Sequence, residues 1–143
     1  METKQKKESN MKKLVFVLLA VLTLALAGCQ EKEMIVDGSC VDGSKLVTIE
    51  VVYEDEEIND SYQYCSNEEF LLGVLEANSE ELAPETNEAS FGVYLSGLKG
   101  FNFETLGMSF YWSIYVNGDY GMLGVADQEV ADGDVFKFEA TSF

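Results

Sequence analysis

Positions 46–53 carry Leu46, Val47, Ile49, Val51, Val52 and Tyr53, a β-branched and partly alternating run that predicts a strand. An acidic stretch over 54–60 ends it. Over 61–65 tyrosine alternates with smaller polar residues, which predicts a returning strand and a hairpin with a long charged turn. Ser66 followed by Glu69 matches a capping box, and Phe70, Leu71, Val74 and Leu75 recur at helical spacing until Asn78 stops the pattern. One helix is expected there. Residues 79–90, rich in Glu, Asn and Thr and carrying the single proline, Pro84, read as a surface loop. Twelve of the seventeen aromatics then fall between Phe91 and Phe143, interleaved with glycine. The expected strands are 91–95, 109–116 and 135–141, with a type I′ turn at Asn117-Gly118 and a tight turn at Asp132-Gly133-Asp134.

A hairpin, one helix and then further strands predict an α+β fold, a β-grasp-like mixed sheet with one packed helix. Ahead of it, residues 29–44 are polar and glycine-containing with little periodicity, the pattern of a flexible tether. The folded domain is expected over 45–143.

The N-terminus has a different character. Lys12 and Lys13 precede an apolar run over 14–27 that is broken only by Thr23. Its 14 residues fall short of the roughly 20 that a spanning helix needs, so a signal peptide over 1–28, cleaved on export, is expected. Met1 and Met11 both stand as candidate starts. The junction Leu26-Ala27-Gly28-Cys29 resembles the lipobox of bacterial lipoproteins, in which the cysteine thiol receives diacylglycerol and becomes the new N-terminus. The resemblance implies lipidation at Cys29 and a location on the extracytoplasmic face of the cell membrane, anchored by lipid. Small Ala27 and Gly28 would let a peptidase approach, and only cysteine offers a thiol to alkylate.

Charge narrows the partners. The chain has nine lysines, no arginine, 26 carboxylates and a formal charge of −17. Beyond residue 28 four lysines face 24 carboxylates, a formal charge of −20. Nucleic acid is disfavoured, because neutralising phosphates needs a basic patch. The same charge repels anionic lipid headgroups, so the lipid on Cys29 would be the membrane attachment. No histidine is present, which removes the usual general base near neutral pH and the usual nitrogen ligand for zinc. An enzyme is not expected. Neither is a metal site or resident cofactor: the run Glu54, Asp55, Glu56 and Glu57 lacks calcium-loop spacing and reads as a solvated turn. Cys40 and Cys65 can form a disulfide in an exported domain or remain free thiols, and both readings stand.

The string WSIYVNGDYGMLGVADQEVADGDVFKF, over 112–138, resembles the end of the transcobalamin-like C-terminal domain, found in bacterial lipoproteins and in cobalamin carriers. The 47–53 strand, the NEEFLLGVLEAN helix and the FGVYLSGLKGF segment fit in order, so the resemblance covers about 45–143. It implies a β-grasp-like domain that in the carriers forms half of a clamp over a corrin ring. The expected function is therefore a surface-anchored lipoprotein that binds a small molecule, a corrinoid first among the candidates, in association with uptake through a membrane transporter. The alternative is a protein- or glycan-interaction module of the cell envelope. Candidate ligand-binding residues are Trp112, Tyr94, Phe101, Tyr120, Met122, Leu123 and Gly124. Trp112 shares a strand face with Phe110 and Ile114; that row is either core or a stacking surface, with Tyr111, Ser113 and Tyr115 on the other side.

Overall fold

A computed structural model of the protein describes residues 35–143. The signal segment expected at 1–28, the lipidation site Cys29 and the first part of the tether lie outside the described residues. In chain order the elements are β1 (Ile35–Val36), β2 (Ser39–Cys40), β3 (Lys45–Tyr53), β4 (Ile58–Ser66), α1 (Leu71–Ala77), α2 (Ser79–Leu82), β5 (Glu85–Ala89), β6 (Gly92–Leu98), β7 (Phe101–Asn102), α3 (Phe103–Leu106), β8 (Phe110–Val116), β9 (Asp119–Tyr120) and β10 (Val135–Ser142).

The alternation in β3 buries Val47, Ile49, Val51 and Tyr53 on one face. The main sheet has the order β4-β3-β10-β8-β9 and is mixed: β10 runs parallel to β3, and the other pairs are antiparallel. Register places Phe136 beside Ile49 and Phe138 beside Val51, so the apolar rows of the two central strands merge. A second sheet, β5-β6-β7, and the helices supply the other layer of one core, with Leu71, Val74, Leu75, Leu82, Leu95, Leu98 and Phe103 buried against the main sheet. Tyr53 anchors an aromatic cluster, its ring 5.4 Å from both Phe101 and Phe103, 5.7 Å from Phe110 and 6.4 Å from Trp112. The fold is α+β and mostly β.

Several expectations need correction. The layer over the core face is a second sheet with short helices, not one packed helix. The capping box at α1 is unused, and no side chain caps that helix. Its free N–H groups are taken instead by distant backbone: Leu71 donates to the Gln128 carbonyl at 2.8 Å and Leu72 to the Val125 carbonyl at 2.9 Å. Ser66 turns inward and accepts from the Glu68 N–H. The loop expected over 79–90 contains α2 and the strand β5, an edge strand whose polar residues are almost all exposed and give no apolar alternation. The returning strand begins at Ile58, because a 3-10 turn over Glu54–Glu56, closed by Glu57 at φ 56°, is enough to reverse the chain.

Within the stretch 29–44 expected as a tether, the described residues include two short strands. β1 and β2 form a hairpin, and a disulfide joins Cys40 to Cys65 at the end of β4. The Lys45 ammonium then donates to the carbonyls of Glu68 (2.6 Å) and Val130 (3.0 Å), tying the start of β3 to the entry of α1. The two glycine turns form as read: Asn117 and Gly118 both have positive φ, at 51° and 90°, and Gly133 sits at 84°.

On the far side, Lys99 donates to the Tyr62 hydroxyl and lies 3.2 Å from the Asp60 carboxylate, to which the same hydroxyl donates at 2.9 Å. The Tyr62 bond first, and then the Lys99 ammonium, hold Asp60 below its ordinary range. This clamp ties the β6–β7 turn to β4.

Replacing both Cys40 and Cys65 by serine is expected to lower unfolding stability by about 2–4 kcal/mol, through the chain entropy regained by the unfolded state. Urea denaturation of the oxidised parent and the double variant measures it; equal midpoints would show that the bridge constrains nothing.

Candidate functional site

The hairpin at Asn117-Gly118 is short. β9 pairs only with Tyr115 and Val116, and the Gly121 N–H extends the ladder one step by donating to the Ile114 carbonyl at 2.7 Å. In an antiparallel pair backbone groups point alternately to either side, so the next groups facing this edge belong to Trp112 and Phe110. Among the described residues no strand covers them. Here the chain leaves the sheet, crosses β6 and runs on to cap α1.

That crossing makes a cavity of about 300 Å³, open to solvent. It is lined by β8, by Phe91, Tyr94 and Leu95 from β6 and the residue before it, and by 120–125. The glycines have a specific use: a Cβ on Gly121 would lie 3.1 Å from the Ile114 carbonyl oxygen, and one on Gly124 the same distance from that of Val93. Both let the segment lie close against the two strands. Val125 is buried behind it and fixes the depth of the crossing.

Of the residues expected to bind ligand, Tyr94, Tyr120, Met122, Leu123 and Gly124 all line this cavity, and Trp112 reaches it. Trp112, however, is only 5% exposed, and its indole N–H donates to the Phe101 carbonyl at 3.1 Å. Its row on β8 is the core row. It closes the floor of the cavity and is not a free stacking platform. Phe101 is a correction too: it is absent from the lining and packs edge-on against Tyr53, because the β6–β7 turn points it into the core.

Sequence reasoning missed Phe91 and Tyr111. Phe91 is 77% exposed, and its ring lies 5.7 Å from that of Tyr94. Tyr111 belongs to the opposite row of β8, and it contributes because the cavity wraps around the open edge and meets both rows. A hydrogen bond with Tyr120, followed by burial, raises the Tyr111 hydroxyl above its ordinary range. The only signal in the sequence was the brevity of any strand after Asn117-Gly118, which leaves β8 without a full partner.

No charged side chain lines the cavity, although the whole chain carries −17. Its walls are aromatic rings, a thioether and backbone, with hydroxyls as the polar groups. Such a surface is complementary in chemistry to a neutral molecule with apolar faces and hydrogen-bonding edges. The volume is at the low end for ligand pockets, so it accepts a small molecule whole or one edge of a large one. Among the described residues no group of three or more Cys, Asp or Glu is placed to hold a metal ion.

Trp112 fluorescence is expected to be blue-shifted and poorly quenched by iodide, as befits a buried indole. An emission maximum and quenching like those of free tryptophan would show that Trp112 is a surface platform after all.

The chain belongs to a family known as a domain of unknown function (DUF4430), whose pattern matches residues 68–142. No curated protein matches it in sequence. Two of the solved structures that share the fold are these. One, from Ruminococcus gnavus ATCC 29149, is a protein to which metal binding is provisionally ascribed; it is 17% identical, with a TM-score of 0.61, over 70% of this chain and 99% of that one. The other is haptocorrin in complex with Cbi, 18% identical, with a TM-score of 0.53, over 73% of this chain and 29% of that one. The chain therefore spans less than a third of haptocorrin.

Proposed function

We propose that this protein is a lipid-anchored receptor on the extracytoplasmic face of the membrane, whose cavity at the open β8 edge binds a small amphipathic molecule, a corrinoid first, for delivery to a transporter. The observation that carries the reading is the uncharged, aromatic-walled cavity at an unpaired strand edge. The transcobalamin-like fold shared with haptocorrin, which was solved with Cbi, supports the choice of ligand. A single domain offers one wall to a ligand of that size, so affinity depends on a partner completing the enclosure. The reading is of binding without catalysis; the lack of any histidine supports it.

A second reading, docking of a protein or glycan, draws on the apolar rim. Phe91, Met122 (88% exposed) and Phe143, whose ring is tilted against that of Tyr111 at 5.2 Å, all lie at or beside the cavity. Cross-linking from 110–124 on intact cells that captures one protein partner, with no small-molecule signal in solution, selects this reading.

Titration with cobinamide and cobalamin, followed by Trp112 emission and by heat, is expected to give a saturable response. Tyr94→Ala and Met122→Ala should each weaken it about tenfold, or ~1.4 kcal/mol. No response at high micromolar corrinoid rules out the corrinoid. For the anchor, mass spectrometry of the mature protein is expected to find diacylglycerol on an N-terminal Cys29, and Cys29→Ala should leave the precursor uncut. An unmodified thiol with the leader still attached would refute membrane anchoring.

A further inference from the structure

Tyr94 stands out among the hydroxyls of the cavity. Ser113 donates to the Glu139 carbonyl at 3.0 Å on the far side of the sheet, and Tyr120 beside Tyr111 raises that hydroxyl above its ordinary range. The Tyr94 hydroxyl meets the Glu104 carboxylate, on α3, at 2.6 Å. The other oxygen of Glu104 accepts from the side-chain amide of Asn87 at 2.8 Å, and Asn87 is the direct cross-strand neighbour of Tyr94. The short helix that carries Glu104 is itself fixed. The Asn102 side chain accepts from the Thr105 N–H at its start and donates to Glu85 of β5 at 2.7 Å.

An ionised carboxylate has no proton to give, so the phenol is the donor in the Tyr94–Glu104 bond, and its single proton is committed. What the oxygen keeps is a lone pair. We infer that Glu104 is a positioning residue of the cavity: it holds Tyr94 as a hydrogen-bond acceptor, so the site selects a ligand that donates an N–H or O–H at that point. This rests on the ligand reading above and deepens it, since primary amides qualify and their ester counterparts do not. Asn87 supports the arrangement by fixing the carboxylate. The bond to Glu104 first, and then burial, raise the Tyr94 hydroxyl above its ordinary range, which supplies a readout independent of any ligand.

Two measurements test it on the oxidised protein. In the first, NMR of 13C-labelled tyrosine follows the ionisation of Tyr94, assigned with Tyr94→Phe. The resonance should titrate above free tyrosine in the parent and return toward it in Glu104→Gln, whereas Asn87→Ala, which removes an amide that lowers it, should leave it raised. In the second, binding of dicyanocobinamide, whose amides donate, is compared with that of the heptamethyl ester of dicyanocobyrinic acid, which carries the same ring without N–H groups. The parent should prefer the amide about tenfold, and Glu104→Gln and Tyr94→Phe should bring the two within about twofold. A Tyr94 titration unchanged in Glu104→Gln overturns the inference whether or not a corrinoid binds. Equal affinity of the parent for both compounds overturns the selectivity. Binding of neither compound, with the titration shifted as expected, refutes the corrinoid reading and supports the placement of Tyr94 by Glu104.

Discussion

The parallel pairing of β10 with β3 is the constraint on which the rest of the fold depends. Parallel neighbours cannot be joined by a tight turn, so the chain between them must leave the sheet and return. Everything from β4 to β9 is inserted in that excursion. β4 occupies one side of β3 and β10 the other, and β8 joins outside β10. The apolar rows of Val47, Ile49 and Val51 and of Phe136 and Phe138 then form a continuous surface. The helices and the second sheet cover it, and β8 is left at the margin with a two-residue partner.

An exposed strand edge invites unwanted pairing, and folded proteins generally cover or twist it away. Here the cover is partial. The segment after β9 crosses in front of β8 at a distance set by two glycines, then turns in at Val125 to satisfy the first N–H groups of α1. One segment thus completes a helix terminus and builds a cavity wall. The cavity owes part of its uncharged character to this economy, since its inner surfaces are core residues seen from the side and backbone held close to backbone, while exposed Phe91, Met122 and Leu123 form its rim.

Much of this was legible in the chain. Period-two alternation gave β3, β8 and β10, and the Asn117-Gly118 and Asp132-Gly133-Asp134 turns announced themselves because few residues other than glycine and asparagine adopt positive φ there. β5 was not legible, since an exposed edge strand such as Glu85–Ala89 has no buried face to alternate against. The capping box misled for a related reason: Ser66 and Glu69 have the right spacing, yet the donors at Leu71 and Leu72 are satisfied by carbonyls more than fifty residues away, and no local pattern encodes that. Residues 120–124, grouped in sequence by their glycines, lie together on one cavity wall, whereas Phe101 is turned into the core, because an aromatic beside Gly100 looks the same in sequence whether the turn aims it out or in. Glu104 went unnoticed among 26 carboxylates; only the placement of α3 beside β6 distinguishes it.

The Cys40–Cys65 bridge also sets how the domain answers a mechanical load. Tension entering from the N-terminal side reaches Cys40 and passes straight to Cys65 through a covalent bond, bypassing a sequence separation of 25 residues. That stretch, about 85 Å if drawn out at ~3.4 Å per residue, cannot lengthen while the bridge holds. β3 and nearly all of β4 lie within the closed loop, so a pull from that end cannot peel their shared ladder apart and must instead shear the rest of the molecule away from it.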